Sequence, residues 1–169
     1  MPLPQTARLR FETLSVVDAP FILELVNEPG WLKHIGDRQI HSLDAAASYI
    51  RNGPMASYAQ HGFGLDRVTR IDTGEAVGLC GLLQRDYLDA PDIGYAFLQR
   101  HGGNGFATEA AHAVLAQAHQ QLGLRRVYAL TSLDNAASIR VLDHCGFVFH
   151  EVIQPTPTSP PSRLFSRRW

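Results

Sequence analysis

A glycine-dense turn leads directly into an alanine-rich helical stretch in "QRHGGNGFATEAAHAVL", residues 99–115. Gly102, Gly103 and Gly105 fall within four positions, and Arg100 stands beside them. The free N–H groups and the positive dipole end of a helix N-terminus bind phosphate. Glycines just before that helix let an anion approach the backbone closely. The stretch therefore predicts an anion site, although a turn that only joins a strand to a helix explains the glycines as well.

Two common phosphate-binding motifs do not match the spacing of these glycines. A P-loop requires Gly-Lys-Ser/Thr, whereas Phe106 and Ala107 follow Gly105. A dinucleotide fingerprint would need its third glycine at position 108, which is Thr108. Both a nucleotide-binding P-loop and a nicotinamide- or flavin-dependent oxidoreductase are therefore disfavoured.

The elements that must position this turn follow from hydrophobic periodicity. Alternation predicts a strand at 8–14, and helical spacing predicts a helix that starts near Ser15 and Asp18 and stops at "EPG". A second helix is predicted from an N-cap at Ser42 to Gly53. The remaining predicted elements are three antiparallel strands within 62–98, a helix at about 105–122, a strand at 125–133, a helix at 134–146, a strand at 147–153, a proline-rich loop at 154–162 and a last strand at 163–169. Antiparallel strands followed by βαβ units predict an α+β fold with a mixed, mostly antiparallel sheet.

Composition excludes several functional classes. Fifteen Lys and Arg against sixteen Asp and Glu give a net charge of -1, which argues against general nucleic-acid binding. The two cysteines, Cys80 and Cys145, form no CxxC pair, and the eight histidines form no ligand cluster, so we expect no metal site. The start of the chain lacks the pattern of a signal peptide, and no apolar run approaches the ~18 residues of a membrane span. We therefore expect a cytoplasmic protein with no membrane partner.

Three motifs in a fixed order give the chain a family resemblance. The strand "DIGYAFL", the R-x-x-G-x-G turn with "FATEA", and the block "DNAASIRVL" followed by "GF" together span residues 92–147. This combination resembles the GNAT superfamily of N-acetyltransferases, and more narrowly the branch of the ribosomal-protein N-terminal acetyltransferases. The resemblance implies one N-acetyltransferase domain over residues 1–169, with a twisted GNAT-like sheet, splayed central strands and flanking helices. It also implies acetyl-coenzyme A (acetyl-CoA) as cosubstrate.

The resemblance assigns the cosubstrate to the backbone of the strand and turn. The pyrophosphate is expected on the turn and the first turn of the helix, and the pantetheine arm is expected to pair like an added strand. Asn135 matches an asparagine that contacts coenzyme A, although an ordinary N-cap also accounts for it. The residues assigned to the cosubstrate are Tyr95, Ala96, Phe97, Leu98, Arg100, Gly103, Asn104, Gly105, Phe106, Ala107, Asn135 and Ser138.

The catalytic groups depart from the common superfamily pattern. Many members place a tyrosine before the final "GF" to protonate the leaving thiolate, but this chain has Val141 and Leu142 there. An α-amine with a pKa of about 7.7–8.0 costs roughly 1 kcal/mol to deprotonate at neutral pH, so a modest base is sufficient. Asp92, at the head of the cofactor strand, is the candidate base; the alternative is a solvated turn carboxylate in "RDYLDAPD".

Residues 27–43 lie where the family builds the acceptor side of its cleft. Trp31, Ile35, Asp37 and Arg38 are the candidate acceptor residues, and the alternative is a packed loop with an Asp–Arg pair. The acceptor is a protein N-terminus, an amino acid or a small amine, and the protein is a monomer or a homodimer. A second hypothesis keeps the fold as a non-catalytic acyl-CoA sensor, because the tyrosine is missing.

Overall fold

One seven-stranded sheet organises the protein, whose structure, a computed structural model, describes residues 2–169. The strands are β1 Leu9–Thr13, β2 Leu65–Arg70, β3 Ala76–Leu83, β4 Asp92–Phe97, β5 Arg126–Ser132, β6 Val148–Ile153 and β7 Ser162–Arg168. Their order is β1-β2-β3-β4-β5-β7-β6, and only the β4–β5 pair is parallel. The predicted α+β fold with a mixed, mostly antiparallel sheet is confirmed.

Helices cover both faces of this sheet. They are α1 Ala19–Val26, α2 Pro29–His34, α3 Leu43–Ile50, α4 Ala56–His61, α5 Phe106–Gln120 and α6 Ala136–His144. Leu79 and Leu98 join the core under α1 and α3, whereas Cys80 and Ile93 join the core under α5 and α6. The central strands are therefore apolar on both faces, which explains the nearly continuous apolar run of β3. Within residues 2–169 no helix combines the length and apolarity needed to cross a membrane.

The two central strands separate along their length. β4 pairs with β3 from Asp92 to Phe97, but it pairs with β5 only at Asp92 and Ile93. Beyond Ile93 the β5-facing edge of β4 is therefore free of strand pairing. The predicted splay of the central strands is confirmed, and it opens the sheet in its middle.

At two predicted helix ends the chain leads into a further helix. The first helix ends at Val26 as expected, but Pro29 in "EPG" begins α2 because proline suits the first position of a helix. The second begins with the predicted cap, since Ser42 Oγ accepts the Ala45 N–H at 3.1 Å. It does not end at Gly53: a π-helical turn over Arg51–Met55 leads into α4. The wider π turn accommodates Pro54, which lacks an N–H to donate.

Candidate active site

A cleft of about 900 Å³ opens where β4 and β5 separate. Gln99 and Ala107 line it near the start of α5, and Arg85 and Asp92 line it at the opposite end of β4. Residues of α2, α3 and α4 also line it. The cleft therefore extends from the residues that flank the glycine turn to the segment that was predicted to bind the acceptor.

The open edge of β4 presents alternate backbone groups to this cleft. Leu98 N–H donates to Val77 O of β3 at 2.8 Å, and Ala96 pairs with Leu79 in the same ladder. Successive N–H groups of a strand point to opposite edges. Tyr95 and Phe97 therefore direct their N–H groups to the open edge, whereas Ala96 and Leu98 direct theirs to β3.

The glycine turn has the backbone geometry of an anion site. Gly103 and Gly105 have φ angles of 77° and 75°, in the left-handed region where glycine carries no steric cost. The first main-chain hydrogen bond at the start of α5 joins Glu109 N–H to Gly105 O. Among residues 2–169, the N–H groups of Phe106, Ala107 and Thr108 have no protein acceptor. These donors are the ones that a phosphate at a helix start accepts from.

The side chains of the turn serve the fold. Arg100 forms ion pairs with Glu24 and Glu75 on the protein surface, so it is not the free cation that the motif suggested. Asn104 Nδ2 donates to His101 O at 3.0 Å within the turn. The Phe106 ring is buried in the core. The turn thus offers its backbone, rather than its side chains, to a ligand.

Helix α6 forms the wall opposite β4. Asn135 Oδ1 accepts the Ser138 N–H at 3.1 Å, so the N-cap role is present, and both residues also line the cleft. Tyr95 reaches across from β4, with its hydroxyl 2.8 Å from Ser138 Oγ, and burial raises the pKa of Tyr95. Val141 lines the cleft and Leu142 is buried, so α6 presents no hydroxyl at these two positions.

Asp92 is buried, in contrast to the solvated turn carboxylate considered as an alternative. It is 1% exposed, and its Oδ1 accepts from Arg85 Nε at 2.9 Å. Burial raises the pKa of the Asp92 carboxyl, and the neighbouring guanidinium partly opposes that shift. Arg85 was missed in the sequence. The antiparallel register, which pairs Leu83 with Asp92, brings Arg85, the second residue beyond β3, to the head of β4.

The segment 27–43 contributes three of its four predicted residues to the cleft. Trp31, Ile35 and Arg38 line it, whereas Asp37 does not. Asp37 Oδ1 accepts the Gln39 N–H at 2.8 Å, and no Asp37–Arg38 pair forms among the described side chains.

His34, one of the eight histidines, is the last residue of α2 and lines the cleft. Its Nδ1 lies 2.6 Å from Ser132 Oγ, so it links α2 to the end of β5. Within residues 2–169 there is no group of three or more side chains arranged to hold a metal ion.

Comparisons with known proteins agree with this geometry. The family profile described as "Acetyltransferase (GNAT) domain" matches residues 8–148. YoaA, an uncharacterized N-acetyltransferase of Bacillus subtilis (strain 168), is 31% identical over 149 residues, which cover 86% of this chain and 82% of YoaA.

Two solved structures show the same fold. A putative ribosomal-protein-serine acetyltransferase from Vibrio cholerae has a TM-score of 0.80 at 16% identity, covering 98% of this chain and 96% of that one. The Microcin C7 self immunity acetyltransferase MccE, solved with acetyl-CoA and AMP, has a TM-score of 0.81 at 17% identity, covering 97% and 94%. None of these relatives favours the non-catalytic sensor. Because the family profile spans most of the sequence, the chain belongs to the GNAT acetyltransferase family and is an N-acetyltransferase that uses acetyl-CoA.

Proposed function

We propose that the cleft between β4 and β5 transfers the acetyl group of acetyl-CoA to a primary amine, which is a protein N-terminus, an amino acid or a small amine. One observation carries this proposal. A single cleft joins the open N–H groups of Tyr95 and Phe97 to the start of α5 on one side and to the buried Asp92 on the other.

The cosubstrate is bound mainly by backbone groups. Gly103, Asn104 and Gly105, with Phe106 and Ala107 in the first turn of α5, direct N–H groups to the pyrophosphate. The pantetheine arm pairs with the open edge of β4. Asn135, whose Oδ1 already caps α6, keeps its amide NH₂ for the thiol arm. The cleft thus accepts a long, anionic cosubstrate without a cluster of basic side chains.

Acetyl-CoA supplies an acetyl thioester, whose carbonyl carbon forms a bond to the amine nitrogen while the carbon–sulfur bond breaks and the sulfur leaves as a thiolate. The Tyr95 N–H donates to the carbonyl oxygen as negative charge develops there. Asp92 accepts the amine proton, directly or through a water molecule. The thiolate needs no dedicated acid, because a thiol pKa of about 8.5 puts it within roughly 2 kcal/mol of its protonated form at neutral pH.

An amine panel with acetyl-CoA tests the activity, with free thiol as the readout and calorimetry for cosubstrate binding. The Asp92→Asn variant should lower kcat at least about tenfold with little change in acetyl-CoA affinity, and most at low pH, where fewer amines are already neutral. Asp86→Asn is the matched control, since Asp86 is an exposed carboxylate of the adjoining loop. Normal turnover by Asp92→Asn from about pH 6 to about pH 9 would show that Asp92 only pairs with Arg85.

A second variant separates a catalytic from a structural Asp92. Arg85 holds the pKa of the Asp92 carboxyl down against the effect of burial. Arg85→Gln should therefore raise that pKa and move the acidic limb of the kcat profile to higher pH. If Arg85→Gln lowers the stability but leaves the acidic limb of the kcat profile in place, the Arg85–Asp92 ion pair serves folding alone.

A further inference from the structure

The cleft is slightly more basic than the protein as a whole. Among residues 2–169, the formally charged side chains that line the cleft are Lys33, Arg38 and Arg85 on the positive side and Glu28 and Asp92 on the negative side. The whole chain has a net charge of -1. Among the described residues, the charged side chains of the cleft lining therefore sum to a formal charge of +1.

Both carboxylates of the cleft are already engaged. Glu28 Oε1 accepts the Gln99 N–H at 2.8 Å, and Asp92 Oδ1 accepts from Arg85. Lys33 Nζ lies 3.5 Å from an Asp134 carboxylate oxygen at the cleft rim. The structure describes no further carboxylate in the cleft lining, so a second ammonium group of an acceptor would meet only partly engaged carboxylates.

Arg38 differs from these side chains. Across the described part of the chain it has neither a salt bridge nor a hydrogen bond to another residue. Its loop is nevertheless held on both sides. Asp37 Oδ1 accepts the Gln39 N–H, and Asn27 Nδ2 donates to the carbonyl of the buried Ile40 at 2.8 Å. The fold thus presents an unpaired guanidinium on a tied loop.

Tyr49 of α3 lines the same cleft. Arg38 and Tyr49 both line this cleft, and the charge of Arg38 opposes the rise in the pKa of Tyr49 that burial causes. The Tyr49 hydroxyl has no hydrogen-bond partner among residues 2–169. A planar guanidinium and a hydroxyl that line one cleft match the oxygens of a carboxylate or a phosphate, each of which accepts several hydrogen bonds.

On the basis of the proposed function above, we infer that the acceptor is a small primary amine that also carries an anionic oxygen group, bound by Arg38 and Tyr49 while its nitrogen faces Asp92. A polyamine fits this end poorly, because its second ammonium would meet Arg38 with like charge. The shared chemistry is an oxyanion, and carboxylate and phosphate acceptors are the two sources to compare.

The first experiment measures thiol release with acceptors compared at equal concentrations of neutral amine. The anionic set is glycine, β-alanine, γ-aminobutyrate and aminoethyl phosphate; the neutral set is glycinamide and β-alaninamide; the cationic set is putrescine and spermidine. We expect kcat/KM for the best anionic acceptor to exceed every neutral and cationic acceptor by at least about tenfold. An equal or better neutral or cationic acceptor overturns the inference while acetyl transfer itself stands. If none of the amines gives thiol release although calorimetry shows acetyl-CoA binding, the proposed function is refuted together with this inference.

The second experiment assigns the role to Arg38. Arg38→Gln should raise KM for the anionic acceptor at least about tenfold, and change KM for its neutral amide and Kd for acetyl-CoA by less than about twofold. Arg51→Gln is the matched control, because Arg51 is exposed, close in sequence to Tyr49 and outside the cleft lining. A raised Kd for acetyl-CoA in Arg38→Gln would show that Arg38 binds a cosubstrate phosphate, and equal effects of the two variants would reduce the role to general electrostatics; either result overturns the inference.

Discussion

Replacement of Gly103 by alanine tests the glycine turn without filling any space in the protein. Gly103 has a φ of 77°, and a Cβ added there meets no atom within 4 Å. The variant is therefore strained only by its backbone angle. A non-glycine residue in the left-handed region costs roughly 1–2 kcal/mol, so the variant should remain folded with slightly lower stability.

The effect on cosubstrate binding should be larger than this strain suggests. Relaxation of the backbone turns one N–H away from the pyrophosphate, and the new methyl group stands in open space where the ligand approaches. A hydrogen bond to a charged group contributes about 1.5–3 kcal/mol, which corresponds to an increase of about 10- to 150-fold in Kd. Calorimetric titration with acetyl-CoA measures this change directly.

Gly123 provides a matched control for the strain. Its φ is 66°, a Cβ there also meets nothing within 4 Å, and it lies beyond the C-terminal end of α5, outside the cleft lining. Gly123→Ala should lose a similar amount of stability in denaturant titration and keep the parent affinity for acetyl-CoA. If Gly103→Ala also keeps that affinity, the turn is not the pyrophosphate site and the glycines serve the chain reversal alone.

Three further substitutions test other parts of the cleft and core. Asn135→Asp retains the oxygen that caps Ser138 N–H but removes the amide donor, so it should keep the stability and weaken acetyl-CoA binding by calorimetry, whereas equal affinity would leave Asn135 a cap only. Tyr95→Phe should keep kcat within about threefold across the pH profile, because burial raises the pKa of Tyr95 and makes it a poorer acid than a thiol; a lost basic limb would contradict this. Asp66, buried beside Tyr58, has its pKa raised to about 7 by burial. With an unfolded-state pKa of about 3.9, the native state binds more protons between these values, so stability falls as pH rises through this interval. Asp66→Asn should remove that fall, so the variant's gain in unfolding free energy over the parent should grow from about pH 4 to about pH 7 and then stay constant. If the free energies of unfolding of parent and variant run parallel over this pH range, Asp66 does not cause the fall.

Local patterns were sufficient to predict most of the sheet and the helices α5 and α6, which follow the glycine turn in the chain. The cap at Ser42 was also predictable, because an N-cap depends on a side chain and a backbone group three residues away. The continuation through Gly53 and Pro54 was not, since these residues ordinarily end a helix and only a π turn accommodates them here. The splay of β4 from β5 came from the family resemblance, as periodicity carries no information on where two strands stop pairing.

The site residues that sequence reasoning missed depend on contacts between distant segments. Which N–H groups of β4 face the open edge follows from one hydrogen bond, from Leu98 N–H to Val77 O, and local sequence does not specify that bond. Arg100 looked like a free cation because its partners, Glu24 and Glu75, come from other elements. Arg85 required the register of the hairpin that joins β3 and β4.

The two halves of the cleft are built by different means, and this determines how far each can be recognised from the sequence. In the proposed function the cosubstrate half uses backbone groups, so its requirements appear in the sequence as glycines with positive φ beside a helix start. The acceptor half of the same proposal uses side chains such as Arg38, Tyr49 and Arg85, which come from separate segments outside the strands. The first half is therefore recognisable in one stretch of the sequence. The second determines the acceptor, and a substitution at Arg38 should alter acceptor choice while acetyl-CoA binding stays intact.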